Sequence, residues 1–518
     1  MRALLVLCAL ILSGCRFSGV APPAPWPTGT AAPLPYRVAI APVQVDGGIA
    51  SRHARVAAMN GSAPDPELLR REAIEALRAA GVFSRVEARG RPGADPERVD
   101  AAAWDEGDDL VLELEVVDHF QEYLGHSNYV GWFVVYAAFV WPAWWVPVDH
   151  YGGGLTVRAR LRGVQARAEP LLERTYQVRP DEVAQELTPS DRELAGFLDW
   201  GALWNVEASL GPANWRAIER AVAPHTRRRL WELLLADLRQ RVVAPLRSER
   251  PDEREDALRR VRKRLAVVAG ASTYHDDALG GGAHAADDAR ALGALLARPE
   301  AGGLVEGRDL HVLTDEQATR AAVLDAIAAV GSRASSSDEV VVYLAGLGSA
   351  LRADDEDEAA LLLHDARHDD LAGTALLLRD LGQALARLPA ERLLVVLDTS
   401  FGPGPGPTRT LAGRGAALDE EGVARALALR PGRAALLAAR PDQPARVLPG
   451  AQVGLFGEVL RAAIGGAADR DGDGRVTLGE VVEYTRGAVA GRAALEGFEQ
   501  DPMVLGLDGG AAGLGWPR

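Results

Sequence analysis

The sequence predicts a layered α/β unit in its C-terminal half, preceded by a small α+β domain and a helical segment. Three observations lead there. Val341 to Ser349 (V-V-Y-L-A-G-L-G-S) and Leu393 to Gly402 (L-L-V-V-L-D-T-S-F-G) are apolar, β-branched runs ending in small residues. Such runs form buried strands of a parallel sheet, with loops at their C-terminal ends. From Leu265 to about Leu507, strand patterns alternate with helical ones, the rhythm of an α/β fold with helices on both faces. With 518 residues and 48% hydrophobic content, the chain has material for about three domains with real cores.

Residues 1–15 carry one arginine, an apolar run from Ala3 to Leu12, and then Leu12-Ser13-Gly14-Cys15. This pattern is a secretory leader ending in a lipobox, with Cys15 as the lipidated residue. The run is too short for a stable membrane span. The only two cysteines are Cys8 and Cys15, so the processed chain is expected to carry no free thiol and no disulfide. Residues 16–35 are rich in proline, alanine and glycine, the composition of a semi-extended tether. The net charge of −15 argues against a general nucleic-acid binder.

The α+β domain is expected over 36–180. Arg37 to Val45 reads as a strand. Asp65-Pro66 opens a helix and Gly81 closes it, with Leu68, Leu69, Ala73, Ile74, Ala76 and Leu77 as its apolar face. Leu110 to Val117 alternates apolar and acidic residues, and Leu155 to Leu161 alternates with arginines, as in half-buried strands of an antiparallel sheet. Between them, Tyr129 to Val148 carries no charge. Three readings stay open for it: a buried hairpin, a loop touching the membrane interface through Trp132, Trp141, Trp144 and Trp145, or a spanning helix. Residues 181–262 look helical, with amphipathic helices at Trp215 to Val222 and His225 to Val242, then a charged helix or linker from Glu249 to Arg262.

In the last unit, 263–509, strands are expected at Ala266–Ala269, His311–Leu313, Glu339–Leu344, Leu393–Leu397 and Ala434–Ala439. Helices are expected at Asp287–Leu296, Asp315–Val330 and Gly373–Leu388. Ligands and reactive groups in such folds sit at the C-terminal strand ends, here Leu347 and Ser400.

Six ordered stretches of this unit resemble the caspase-like (metacaspase, paracaspase) peptidases. They are Val267 to Tyr274, Asp287 to Leu292, Leu313 to Thr319, the two strand ends, Ala438 to Gln443 with Gly454-Leu455-Phe456, and Gln500-Asp501-Pro502. The resemblance implies a catalytic histidine and cysteine at the strand ends. Leu347 stands at the histidine position and Ser400 at the cysteine position. It also implies that Asp288 helps to bind a basic substrate side chain, and that a substrate-contacting loop begins at Gly402. Read as chemistry, Ser400 could act as a nucleophile only with an adjacent base; His364 and His368 are the histidines near enough in sequence to serve as one, or with neighbouring aspartates to hold a metal.

One constellation keeps all its chemical parts. Asp469, Asp471, Asp473, Arg475, Thr477 and Glu480 occupy the ligand positions of an EF-hand calcium loop, with Gly474 at its sharp turn. Ca²⁺ is the cofactor expected there; an Asx-turn without metal is the alternative.

Together these features imply a lipid-anchored envelope protein, the outer membrane preferred because Arg16 follows the lipobox. Its caspase-like domain would bind or scaffold a peptide or protein. The alternatives are an active hydrolase using Ser400, and an envelope-assembly lipoprotein whose function lies in the first domain.

Overall fold

The computed structural model of the chain describes residues 20–26, 28–29, 31–46, 64–91, 94, 96–126, 149–165, 169–192, 210–281, 284–298, 301–353, 356–401, 408–411, 418–448, 451, 453–508 and 514–517. The lipobox with Cys15, parts of the tether, the tryptophan-rich segment 129–148 and the Gly-Pro run 402–407 lie outside the described residues. Two compact units divide between Val261 and Arg262. No helix among the described residues is long and apolar enough to cross a membrane.

The first unit is built on a sheet in which β3 (Phe83–Ala88), β1 (Leu34–Ile40), β4 (Leu110–His126), β5 (Asp149–Gly163) and β6 (Leu172–Val178) lie side by side. Short strands β2 (Gln44–Val45) and β7 (Gln185–Leu187) pair with β4 and β5. The expected antiparallel sheet holds for β4, β5, β6 and β7; β1 runs parallel to both β3 and β4. The reason lies in the connections. Helix α1 (Pro66–Ala80) joins β1 to β3 and helix α2 (Pro96–Asp105) joins β3 to β4, and a helical crossover returns the chain in the same direction. Asp65 caps α1 by accepting from the Glu67 N–H at 3.0 Å, and Gly81 ends it at φ 60°. Across the hairpin, the acidic positions of β4 meet the arginines of β5: Glu113 pairs with Arg162 and Glu115 with Arg158, each at 2.7 Å. Pairing of β4 with β5 runs out to His126 opposite Asp149.

The two helices expected at 215–242 are one helix, α3 (Pro212–Leu238), which runs through Pro224. Proline removes one intrahelical hydrogen bond. Its neighbours compensate by burial: Ile218 and Val222 before it and Leu230, Trp231, Leu234 and Leu235 after it are buried. Helix α4 (Pro251–Val261) is the charged run expected as helix or linker, and it adds Ala257 and Val261 to the core formed by the sheet and α3.

The second unit is a layered α/β structure. Its sheet has the order β9 (Leu310–Thr314), β8 (Arg264–Gly270), β10 (Glu339–Ala345), β14 (Arg392–Asp398), β15 (Arg433–Leu437), β17 (Met503–Leu505). All neighbours are parallel except β17, which is antiparallel to β15. Helices α5 (Ala285–Leu296), α9 (Leu455–Ala462) and α10 (Leu478–Leu495) share one core with Ala266, Val268, Val341, Tyr343, Leu394 and Val396 of the sheet. Helix α6 (Arg320–Arg333) packs on β8 and β9 and against α7 (Leu378–Ala386), and α7 packs in turn on α8 (Glu420–Ala426). A small separate sheet holds β11 (Gly348–Ala353), β12 (Glu356–Leu361) and β13 (Leu376–Leu377).

Two expected helices are shorter than their patterns. The run from Asp315 opens with Asp315 at φ 49°, its carboxylate accepting from the N–H groups of Ser272 and Thr273. The helix proper starts only after Thr319, which caps it. The run from Gly373 is interrupted because Leu376 and Leu377 complete the small sheet beside β12.

Candidate functional site

Strands β10 and β14 are neighbours in register, Ala345 opposite Asp398. Their C-terminal extensions therefore carry Leu347 and Ser400 to the same edge, as expected. The approach is close enough to demand glycine at 348: a Cβ there would collide with the Ser400 carbonyl oxygen and the Thr399 hydroxyl. Leu347 is buried and its N–H donates to the Tyr274 hydroxyl at 3.0 Å. Ser400 is also buried, and its Oγ lies 2.5 Å from Thr410 Oγ1.

Residues 408–411 run through this edge as a bent segment held by isolated bridges, with Arg409 at the bend. Thr408 bridges Arg446 in antiparallel fashion and Thr410 bridges Gly348 in parallel fashion. The Arg409 N–H donates to the Ala445 carbonyl at 3.0 Å, and the Leu411 N–H donates to the Gly348 carbonyl at 2.7 Å. The Arg409 carbonyl oxygen accepts from the Gly348 N–H at 2.9 Å and from the Ser400 N–H at 3.4 Å. Two N–H groups converging on one carbonyl oxygen form the kind of cradle that stabilises developing negative charge in acyl transfer.

Beside the cradle lies a buried charge network. Asp288, placed in the first turn of α5, is fully buried, as are Asp398 at the end of β14 and Arg409 between them. Arg409 reaches Asp398 Oδ1 with Nη1 at 2.5 Å and pairs with Asp288 Oδ2 through Nη2. Arg461 of α9 donates to Asp288 Oδ1 at 2.6 Å, and the Gly454 N–H donates to Oδ2 at 2.7 Å. Tyr343 completes the set, its hydroxyl donating to Asp398 Oδ2 at 2.6 Å. Two carboxylates thus face two guanidinium groups, which satisfies the requirement that buried charges be paired and hydrogen-bonded. Burial pushes the Asp398 carboxyl up, with Arg409 opposing that shift, while the two carboxylates hold Arg409 firmly protonated against its own burial. Gly457 of α9 makes the close packing tolerable, since a Cβ there would meet both Asp288 and Asp398.

The sequence pointed to Asp288 but not to Arg409, Asp398, Tyr343 or Arg461. The one available signal was a lone arginine between two threonines, following a Gly-Pro run that starts two residues after Ser400. The two histidines lie on a separate turn. His364 Nδ1 sits 2.9 Å from the Thr273 carbonyl oxygen, and the backbone N–H of His368 donates to Asp276.

In the acidic loop, Asp469, Asp471 and Asp473 bring one carboxylate oxygen each within 4.8 Å of one another. That spread is about twice a Ca²⁺–oxygen distance, so the three donors fit that ion. One oxygen of each also turns back on the loop, accepting from the N–H of Gly472, Asp473 and Arg475 respectively. Glu480 does not join the three. Its carboxylate accepts from the N–H and hydroxyl of Thr477, both at 2.8 Å, and from the Arg470 N–H at 3.0 Å, closing a capping box at the start of α10. Residues Arg475–Thr477 form strand β16, paired with β18 (Gly515–Pro517), which places buried Val476 opposite buried Trp516.

No protein-family model and no curated protein matches the chain. Among solved structures it is similar to protein GSU0716 from Geobacter sulfurreducens, with 16% identity and a TM-score of 0.34 over 48% of this chain and 97% of that one. It is also similar to caspase-1 from Spodoptera frugiperda, with 11% identity and a TM-score of 0.31 over 47% of this chain and 86% of that one.

Proposed function

We propose that the chain is a lipid-anchored envelope protein whose C-terminal unit is a caspase-like pseudopeptidase, built to bind or scaffold a peptide or protein and not to cut it. One observation supports this above the others. Leu347 and Ser400 sit together at the strand ends where a base and a nucleophile belong, and the hydroxyl of Ser400 faces Thr410. A serine hydroxyl is a weak nucleophile without an adjacent base, and Leu347 cannot take a proton. The His364 ring is engaged with the Thr273 carbonyl, and the His368 backbone N–H with Asp276, on another turn. The geometry around the missing chemistry is nonetheless kept: a two-amide cradle and an acidic pocket that takes a guanidinium group.

The envelope part of the proposal is supported by the leader and by Leu12-Ser13-Gly14-Cys15. The tryptophans at 132, 141, 144 and 145 would add an interfacial contact, and the loop of Asp469, Asp471, Asp473, the Arg475 carbonyl, Thr477 and Glu480 would take Ca²⁺.

Purified protein should leave arginine- and lysine-directed peptides uncut, with or without calcium. Turnover that disappears in Ser400→Ala would overturn the pseudopeptidase proposal in favour of a serine hydrolase. Mass analysis of the mature N-terminus should find lipid on Cys15, absent in Cys15→Ala. A soluble wild-type protein with no lipid mass would overturn the anchoring proposal.

A further inference from the structure

The acidic pocket and the amide cradle are both already filled, and by the same residue. Arg409 places its guanidinium between Asp288 and Asp398 and its carbonyl oxygen between the N–H groups of Gly348 and Ser400. Its own N–H is taken by Ala445, and its two neighbours bridge Arg446 and Gly348. A peptide bound for cleavage after an arginine needs these same contacts: side chain in a charged pocket, carbonyl polarised by paired amides, backbone added to flanking strands. Arg409 is 1% exposed, so this is a desolvated fit and not a surface contact.

We propose that residues 408–411 are a built-in substrate mimic that occupies the groove in cis, with Arg409 in the arginine pocket and the Arg409–Thr410 bond lying across residue 400. The inference rests on the groove being that of a degenerate peptidase. It adds that the groove is closed by the chain's own arginine, so an arginine-bearing partner segment would have to displace residues 408–411 before it could bind. The bond across residue 400 persists because the hydroxyl beside it has no base. Thr410 Oγ1 holds that hydroxyl at 2.5 Å and itself donates to the Ser400 carbonyl at 3.2 Å.

This segment should shield residue 400 from solvent, and Arg409 should be what pins it there. The test uses full-length protein with Cys8→Ser, Cys15→Ser and Ser400→Cys, a near-isosteric change at the site. The rate at which iodoacetamide labels the introduced thiol is compared with and without Arg409→Ala. Labelling is expected to be at least tenfold slower with Arg409 present. Arg409→Lys keeps the charge but loses the two-pronged contact with both carboxylates, and should give an intermediate rate; it also decides the matter if Arg409→Ala does not fold. Equal rates with arginine, lysine and alanine at 409 would overturn the proposal. That outcome, together with absent peptide turnover, would leave the pseudopeptidase reading standing, whereas turnover lost in Ser400→Ala removes that reading whatever the labelling rates are.

Discussion

The second unit contains two clusters of aspartates that solve the same problem in opposite ways. Asp288 and Asp398 are fully buried and are met by guanidinium groups and a hydroxyl from elsewhere in the fold. Asp469, Asp471 and Asp473 lie in a largely exposed loop and are met by the N–H groups of the loop itself. A buried carboxylate needs an internal cation, because leaving it unpaired in a low-dielectric interior costs several kcal/mol. An exposed cluster is screened by water and can wait for an external cation. The difference teaches which acidic residues can receive a ligand from solution. The first pair has its cation covalently attached to the chain; the second cluster turns its carboxylates onto the amides of its own loop.

The strongest way to break this comparison is to remove the internal cation. Arg409→Ala leaves Asp288 with Arg461 and the Gly454 N–H, and Asp398 with the Tyr343 hydroxyl. Deleting one partner of a buried ion pair typically costs about 3–5 kcal/mol, since the remaining charge stays buried. The second unit should lose stability of that order in chemical denaturation. Ethylguanidinium at millimolar concentration should restore part of the loss by refilling the space, while an equal concentration of tetramethylammonium should not. A variant as stable as wild type would mean that the pocket is wet or relaxes without its arginine, and the contrast between the two clusters would dissolve.

How far the sequence foresaw this site depends on whether contacts are local. The strand ends at Leu347 and Ser400 were legible because each is a continuous apolar run with a small-residue terminus. The acidic loop was legible for the same reason: its donors fall within twelve residues, and Asp469, Asp471 and Asp473 do come together. Arg409 was invisible, since its partners lie 121 residues away at Asp288 and 11 residues away at Asp398, and a Gly-Pro surround reads as an exposed loop. Glu480 was half legible. Its position fits a calcium ligand, but the identical spacing Thr477-x-x-Glu480 is also a helix capping box, and the structure uses it as one. The merged helix α3 and the parallel half of the first sheet were missed because long-range packing outweighed a proline and a local alternation pattern.

The smaller effect, and the one that sharpens the comparison, is to supply the exposed cluster with its external cation. Three aspartates already converge, and Glu480 must leave its Thr477 and Arg470 donors to join them as a bidentate ligand. That rearrangement argues for weak affinity, with a dissociation constant on the order of 10⁻⁴ to 10⁻³ M. At ten times that constant, binding to the folded state alone adds roughly 1.4 kcal/mol, a rise of a few degrees in melting temperature. Glu480→Gln separates the two roles of this residue, because glutamine still closes a capping box but cannot serve as the charged bidentate ligand. The variant should melt somewhat below wild type in chelator and should show no rise in millimolar Ca²⁺. Acid provides a second handle. Burial pushes the Glu480 carboxyl up, but its hydrogen bonds from Thr477 and Arg470 outweigh this and hold it below its ordinary value. A carboxylate depressed in the fold stabilises it above the unfolded value, and that stability is lost as pH falls through the folded one. The metal-free fold should therefore keep this contribution near neutral pH and lose it in acid, and the calcium-induced rise, which needs the ionised carboxylate, should fade there too. Identical wild-type melts in chelator and in calcium at neutral pH would make the loop a turn held by its own amides, and both acidic clusters would then be closed to ligands from outside.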